Sequence, residues 1–328
     1  MGKTKIEWAT TVWNPVAGCT KISPGCEHCY AERMAKRLAG RYGYPKENPF
    51  QVTFHRERLN EPAKWKKPQR VFVCSMGDLF HEDVHFQDIS IIWWTMLWFS
   101  QHTYMILTKR PERIIKFFEY LESDIGGWKW ITEGGTNKRY YKQWKWPLPN
   151  VWIGVTAENQ EMADKRIPVL LQIPAAVRFV SVEPMLGPIN LIKDDDLYWE
   201  PTKQQWVPRI GLDWVICGGE TGPGARPMCP DWVRDLRDQC ISAEVPFFFK
   251  SWGDWAPWYG DEDDGCPGDP ECEEINCSGC RKARFWRFTG GGPAGYEPRD
   301  VLYSVRVGKK AAGRILDGQE WNQLPNKL

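Results

Sequence analysis

The chain has no stretch of about 18 apolar residues, so no membrane-crossing helix is expected. Its longest apolar run, Ile91 to Phe99, suits a buried helix. It also lacks an excess of charge of one sign. Lys and Arg number 43 against 42 Asp and Glu, a formal net charge of +1 in 328 residues. That excludes a globally basic polyanion binder and leaves only local patches for such a role. No apolar leader follows the opening MGKTKIEW, so no secretory signal is expected and a cytoplasmic location is. No GxGxxG follows an early strand pattern, which argues against a dinucleotide fold. The glycine-rich run from Gly218 to Arg226 lacks the Lys-Ser/Thr pair of a nucleotide-hydrolysing loop, which argues against ATP hydrolysis. Internal repeats and long low-complexity tracts are missing as well.

Tryptophan and cysteine are plentiful, at 20 and 11 residues. Tryptophan in that number serves packing first, with some rings available to stack on flat ligands. The cysteines do not form a disulfide framework. Three lie near the start, four near residue 270, and Cys74, Cys217, Cys229 and Cys240 stand singly and read as buried thiols. In a reducing compartment, clustered cysteines are metal ligands more often than disulfides.

Short β-branched runs recur at RVFVC (70–74), YMIL (104–107), VWIGV (151–155), VRFVSV (177–182), WVIC (214–217) and PFFFK (246–250). Near-continuous apolar strands belong to a sheet buried on both faces. Helical patterns lie between them, as at 113–121, 160–172 and 230–243. The alternation predicts βαβ units and a parallel sheet. Polar residues follow the strands: Ser75 to Asp78, Thr108 to Arg110, Thr156 to Asn159, Ser181 to Pro184 and Gly218 to Thr221. Loops at the carboxyl ends of barrel strands build active sites, so these loops are the candidate site; an open doubly wound sheet would alternate similarly.

The amino-terminal motif runs Cys19-x6-Cys26-Glu27-His28-Cys29, with a helical stretch from Ala31. Three thiolates suit three irons of a [4Fe–4S] cluster and leave the fourth iron open. Zinc is the competing reading, although it usually takes a fourth Cys or His and His28 is awkwardly placed for that.

The order of cysteine loop, helix and βα units resembles the radical S-adenosylmethionine (SAM) superfamily, whose usual spacing is C-x3-C-x2-C. The segments GCTKISPGCEHCYAERMAKR, VFVCSMGDLFHEDV, LTKRPERI, WIGVTAEN, VRFVSVEPMLGPI, WVICGGETGPGARPM and VPFFFKSWG together resemble a phage- and bacteria-associated group of three-cysteine radical-SAM-like proteins with no assigned reaction. The likeness spans about residues 5–255 and the tail GRILDGQEWNQLP. It implies a partial parallel (βα)6-type TIM barrel with insertions, a [4Fe–4S] cluster on Cys19, Cys26 and Cys29, and cleavage of SAM to a 5′-deoxyadenosyl radical. It also implies an external electron donor of flavodoxin or ferredoxin type.

The same resemblance assigns the loops. His28 stands where the superfamily carries an aromatic. Ser75, Gly77 and Asp78 occupy the loop that meets the SAM amino group, with Asp78 as the candidate acid. Thr156, Glu158, Ser181 and Glu183 are candidates for ribose hydroxyls, and Gly218, Gly219 and Glu220 for adenine or substrate. Lys109, Arg110, Arg226 and Lys250 are candidates for the SAM carboxylate or an anionic substrate. Ordinary helix-opening turns and rim charges are the bland readings of these positions.

Three insertions interrupt the barrel pattern. Residues 124–149 interleave Trp and Tyr with Lys and Arg, as a single-strand nucleic-acid surface would, or as a packing flap would. Residues 193–209 read as a surface excursion. Residues 261–292 carry Cys266, Cys272, Cys277 and Cys280, which suit zinc or an auxiliary [4Fe–4S] cluster. The expected organisation is thus a barrel over residues 1–260, the Cys-rich insertion, and a tail over 293–328 packed on the barrel. The expected function is a radical SAM enzyme acting on a nucleic-acid base or nucleotide. The alternatives are a radical SAM enzyme for a small metabolite or peptide, and a non-catalytic iron–sulfur or zinc protein that binds nucleic acid.

Overall fold

A computed structural model describes residues 4, 6–123, 147–192, 197–200, 202, 204–208, 210–258, 285–288 and 302–325. In chain order the strands are β1 (Thr11–Trp13), β2 (Val16–Ala17), β3 (Thr53–Phe54), β4 (Arg70–Val73), β5 (Thr103–Thr108), β6 (Val151–Thr156) and β7 (Val177–Val182). They continue as β8 (Leu197–Glu200), β9 (Gln205–Pro208), β10 (Trp214–Gly218), β11 (Phe247–Ser251), β12 (Trp255–Trp258), β13 (Phe285–Phe288) and β14 (Leu302–Arg306). The helices are α1 (Tyr30–Leu38), α2 (Phe86–Trp98), α3 (Pro111–Glu122), α4 (Gln160–Gln172), α5 (Pro230–Ser242) and α6 (Lys309–Ala312).

The fold is mixed α/β. Its main sheet has seven strands in the order β1-β4-β5-β6-β7-β10-β11. The described registers, β1 with β4, β4 with β5, β5 with β6 and β10 with β11, are all parallel. The strand order rises steadily along the chain. A doubly wound sheet reverses its order at a switch point, whereas barrel winding does not, so the topology is consistent with a partial TIM-like barrel. Every residue of β6 and β10 is buried, as near-continuous apolar strands require. β1 was not among the expected strands. It has three residues, too few for a run to stand out, and it takes its place by pairing with β4.

The chain divides into two compact units: Met1–Thr156 with Lys165–Val180, and Ala157–Asp164 with Ser181–Leu328. This division differs from the expected barrel, insertion and tail. In the first unit, Trp93 meets Phe117 and Phe118 at 5.6 and 5.5 Å between ring centres. Trp13 is fully buried, and its indole N–H donates to the Arg58 carbonyl at 2.9 Å. Gly154 of β6 leaves room for the buried ring of Phe179 in β7, because a Cβ there would stand 2.5 Å from it. Trp8, Trp13, Trp93, Trp152, Trp214, Trp252 and Trp255 are all buried, so much of the tryptophan content is core.

In the second unit, β12, β14 and β13 form an antiparallel sheet. Residues 193–209, expected as an excursion, include the antiparallel hairpin of β8 and β9. The tail lies along β11: Phe249 N–H donates to the Trp321 carbonyl, and Gln323 Oε1 accepts from Phe247 N–H at 2.8 Å. Most of the 124–149 insertion and all four cysteines from Cys266 to Cys280 lie outside the described residues.

Candidate functional site

The first unit gathers Cys19, Cys26 and Cys29 with the loops after β4 and β5. Gly18 opens the cysteine loop at φ +88°, and a Cβ on it would fall 2.2 Å from the Gln51 carbonyl. Gly18 N–H donates to the Met76 carbonyl at 2.9 Å, and Gly77 packs on the Gly18 carbonyl at a distance that bars any side chain. Both glycines therefore bring the cysteine loop against the loop that follows β4. Asn14 Oδ1 braces that loop, accepting from Ser75 O–H at 3.2 Å and Met76 N–H at 3.0 Å. Cys29 is the residue before the first turn of α1, whose buried Ala31 and Ala35 pack with Ala17, Tyr44 and Met76.

Asp78 is buried and its carboxylate is filled. Oδ1 accepts from Phe80 N–H at 3.0 Å and Thr108 O–H at 2.7 Å. Oδ2 accepts from Lys109 N–H and from Arg110 Nη1, both at 3.2 Å. A carboxylate offers about four lone-pair directions, so these four donors saturate it. Asp78 thus holds the β5–α3 turn rather than presenting a free oxygen to an ammonium.

Arg110 carries that constraint to the thiols. Its Nε donates to both Glu82 oxygens at 3.0 and 2.9 Å, and its Nη2 donates to Thr20 Oγ1 at 2.9 Å and the Thr20 carbonyl at 3.3 Å. Nη1 reaches Cys19 Sγ at 3.4 Å as well as Asp78. Lys109 Nζ stands 3.4 Å from Cys26 Sγ. His81 completes the loop. Its Nδ1 accepts from Asp83 N–H, so Nε2–H donates to Thr20 Oγ1 at 2.8 Å. Thr20, His81 and Glu82 were not singled out from the sequence, although His81 and Glu82 lie in the polar run HED at the far end of the loop that follows β4.

The two paired thiols differ. Burial, reinforced by the Asp78 charge and only partly offset by Arg110, pushes the Cys19 thiol up to about 11. At Cys26 burial is outweighed by Lys109 and by hydrogen bonds from Ile22 and Ser23, so its thiol lies below the ordinary value. All three motif cysteines are half-buried free thiols. Among the described residues, no three His, Cys, Asp or Glu side chains form a ready metal-binding group.

Thr156, also in the first unit, is buried, and its carbonyl accepts from Arg166 Nη1 at 2.7 Å. His28 is half-buried in the cysteine loop. The remaining candidates belong to the second unit. Ser181 O–H donates to Glu183 Oε2 at 3.1 Å, and Lys250 Nζ pairs with Glu183 Oε1 at 2.9 Å. That pair lies over Gly218, where a Cβ would stand 2.6 Å from Glu183 Oε1. Glu158 is fully buried. Glu220 accepts three bonds from Arg226, through the backbone N–H, Nε and Nη2, at 2.8, 2.9 and 2.7 Å. Gly219 in this loop and Gly253 after β11 answer to packing. A Cβ on Gly219 would stand 2.1 Å from the Trp252 carbonyl, and one on Gly253 would stand 2.2 Å from the Glu220 carbonyl.

A family model described as "Protein of unknown function (DUF5131)" matches residues 3–325. The chain belongs to the DUF5131 family. No match was found among curated proteins or among solved structures. In this DUF5131 member the cysteine loop and its neighbours carry the distinctive chemistry. The residues around the three cysteines fit an anionic, thiolate-held group. Cys19 and Cys26 each have a cation within 3.4 Å, and Cys29 lies at the amino end of a nine-residue helix, where the backbone favours negative charge.

Proposed function

We propose that the chain holds a [4Fe–4S] cluster on Cys19, Cys26 and Cys29 in a partial barrel of the radical SAM kind, and modifies a nucleic-acid base or nucleotide. The single observation that carries the cluster reading is the pairing of two motif thiols with buried or half-buried cations at 3.4 Å. Cysteines kept for packing alone have no need of such partners, and a thiolate-held cluster carries net negative charge. Once bound, the cluster would supply the electron that breaks the C–S bond of SAM.

The chain's own residues would do the rest. Arg110 and Lys109 offset thiolate charge, and Asp78 keeps both aligned by fixing the turn that bears them. Burial of Asp78, His81 and Arg110 at 5%, 3% and 5% exposure excludes water from one side of the thiols. Glu183 and Lys250, in the second unit, are less enclosed, at 16% and 26% side-chain exposure, and suit the charged ends of an amino acid or a phosphate.

The test is iron, sulfide and zinc content of anaerobically purified protein, followed by 5′-deoxyadenosine formation after reduction with SAM and oligonucleotide present. About four irons, with product lost in Cys26→Ala, is the expected result. Zinc without iron, or a loaded cluster that releases no 5′-deoxyadenosine, would overturn the enzyme reading.

A further inference from the structure

We infer that the basic surface around Tyr42 binds a single-stranded polynucleotide. This deepens the substrate half of the proposed function and is independent of its cluster half. Residues 30–70 hold eleven Lys and Arg against four Asp and Glu, a surplus of seven in a chain whose net charge is +1. The rest of the molecule is therefore net acidic, and this stretch of the first unit is a local concentration of positive charge. Such local concentration is the electrostatic footprint of a phosphodiester partner.

The structure makes part of that stretch one patch. Arg37, Arg41, Lys46 and Arg56 are all exposed. Arg41 donates to the Arg37 carbonyl, which sets the two guanidinium-bearing residues side by side at the end of α1. Arg58, the last residue of the turn that begins at Arg56, donates to the Tyr42 carbonyl at 2.6 Å and to the Asn14 carbonyl at 3.0 Å. The loop carrying Arg41 and Tyr42 is thereby pinned beside Arg56. Two of the four acids in this stretch are paired: Glu32 with Lys36 at 2.7 Å and Lys21 at 3.4 Å, and Glu57 with His55 and Arg58; Glu47 is exposed beside Lys46.

Tyr42 is the feature that a solvated basic face does not explain. Its side chain is 76% exposed, and its backbone is left-handed at φ +52°, a conformation bulky residues avoid. Gly43, also left-handed, leaves no room for a side chain against the His55 ring, and Tyr44 turns inward beneath Arg58. The turn thus drives one tyrosine into the core and holds the other outward among cations. An outward aromatic ring beside phosphate-binding cations is how single strands are gripped, since every base offers a face to stack. An acidic protein would use the cations but has no corresponding use for the ring. α1 also leads back to Cys29, and eight residues of helix span about 12 Å, so a strand held here lies near the cysteine loop.

The experiment is fluorescence anisotropy of the full-length protein with a labelled single-stranded oligonucleotide of mixed sequence, from about 50 to about 200 mM salt. Wild type is expected to bind at low salt and weaken steeply as salt rises. Arg37→Glu with Arg41→Glu should lose on the order of 10- to 100-fold, and Tyr42→Ala about tenfold, with Tyr42→Trp restoring affinity. Thermal melting and iron content, unchanged in these surface variants, keep a folding defect from passing as a binding defect. Equal binding by wild type and variants would overturn this placement while leaving the substrate class standing. Polyglutamate that displaces the oligonucleotide charge for charge, with Tyr42→Ala silent, would assign the patch to an acidic protein instead. No binding by wild type at low salt would overturn both this inference and the nucleic-acid substrate, and iron content and SAM cleavage would then judge the cluster reading separately.

Discussion

Asp78 shows how much one carboxylate can organise. It joins the loop after β4 to the turn after β5, and through Arg110 it reaches Cys19. Removing it leaves Arg110 with Glu82 as its one remaining carboxylate partner and leaves the Phe80 and Lys109 N–H groups and the Thr108 O–H without their acceptor. Asp78→Ala is expected to cost about 3–5 kcal/mol in denaturant unfolding, summed over those buried donors, and to lower iron loading. A loss below about 1 kcal/mol would show that the pair is not central. Glycines offer a second residue-scale test. Gly219→Ala would thrust a methyl to 2.1 Å from the Trp252 carbonyl and should destabilise by about 3 kcal/mol or more. Gly187, whose Cβ would meet only Asn159 at 3.7 Å, should accept Ala with little change or a gain of up to about 1 kcal/mol. Thermal melts of the two variants side by side check the contrast.

Among the elements, β11 ends the strand order of the main sheet and is exposed to edge pairing unless something covers it. The tail does so. Phe248 bridges Asn322 in antiparallel fashion, Gln323 accepts from Phe247 N–H, and Trp214 Nε1 donates to the Gln323 carbonyl at 2.9 Å. Phe247 also meets Trp321 edge-on at 6.2 Å. Gln323→Ala leaves the Phe247 N–H without its side-chain acceptor and is expected to cost about 1–3 kcal/mol. Deleting residues 313–328 should leave soluble protein scarce and concentration-dependently aggregated, as read by light scattering. A truncated chain that stays monomeric with an unchanged melting temperature would show that the tail is dispensable.

At the scale of the whole molecule, three buried histidines, His55, His81 and His102, have lowered pKa values and tie stability to pH, and His102 and His55 show how. His102 is fully buried; Gln69 N–H donates to its Nδ1, and its Nε2–H donates to the Pro62 carbonyl. Burial lowers its pKa despite that second bond. His55 is lowered by burial and by Arg58, against the opposing pull of Glu57. A lowered folded value means that the unfolded chain takes up protons first, below about pH 6.5. Stability is therefore complete above that pH and falls as pH drops toward the folded values, by up to about 1.4 kcal/mol per pH unit for each proton. Denaturant midpoints measured from pH 7 to pH 5 should decline, and the slope should shallow in His102→Gln if that variant folds. A flat profile would show that none of the three rings stays neutral in the folded state.

Periodicity alone was enough for the α/β class and for six of the main strands, because a strand buried on both faces must be apolar throughout. VRFVSV matches β7 residue for residue, and residues 160–172 match α4. The three clustered cysteines and the polar loops after strands were legible for the same local reason: each is a short run of distinctive chemistry. What those loops do was not legible. Asp78 reads from the sequence as a candidate for an ammonium, whereas in the fold four donors on Phe80, Thr108, Lys109 and Arg110 fill it. Gly219 reads from the sequence as a ligand-contacting glycine or a tight turn, and only the fold shows the Trp252 carbonyl where a Cβ would stand. Partners tens of residues away decide such roles, and hydrogen-bond valence and steric exclusion are properties of the folded neighbourhood. The same holds for Tyr42, whose exposure follows from the Arg58 bond and the left-handed turn, not from its place in the run RYGY.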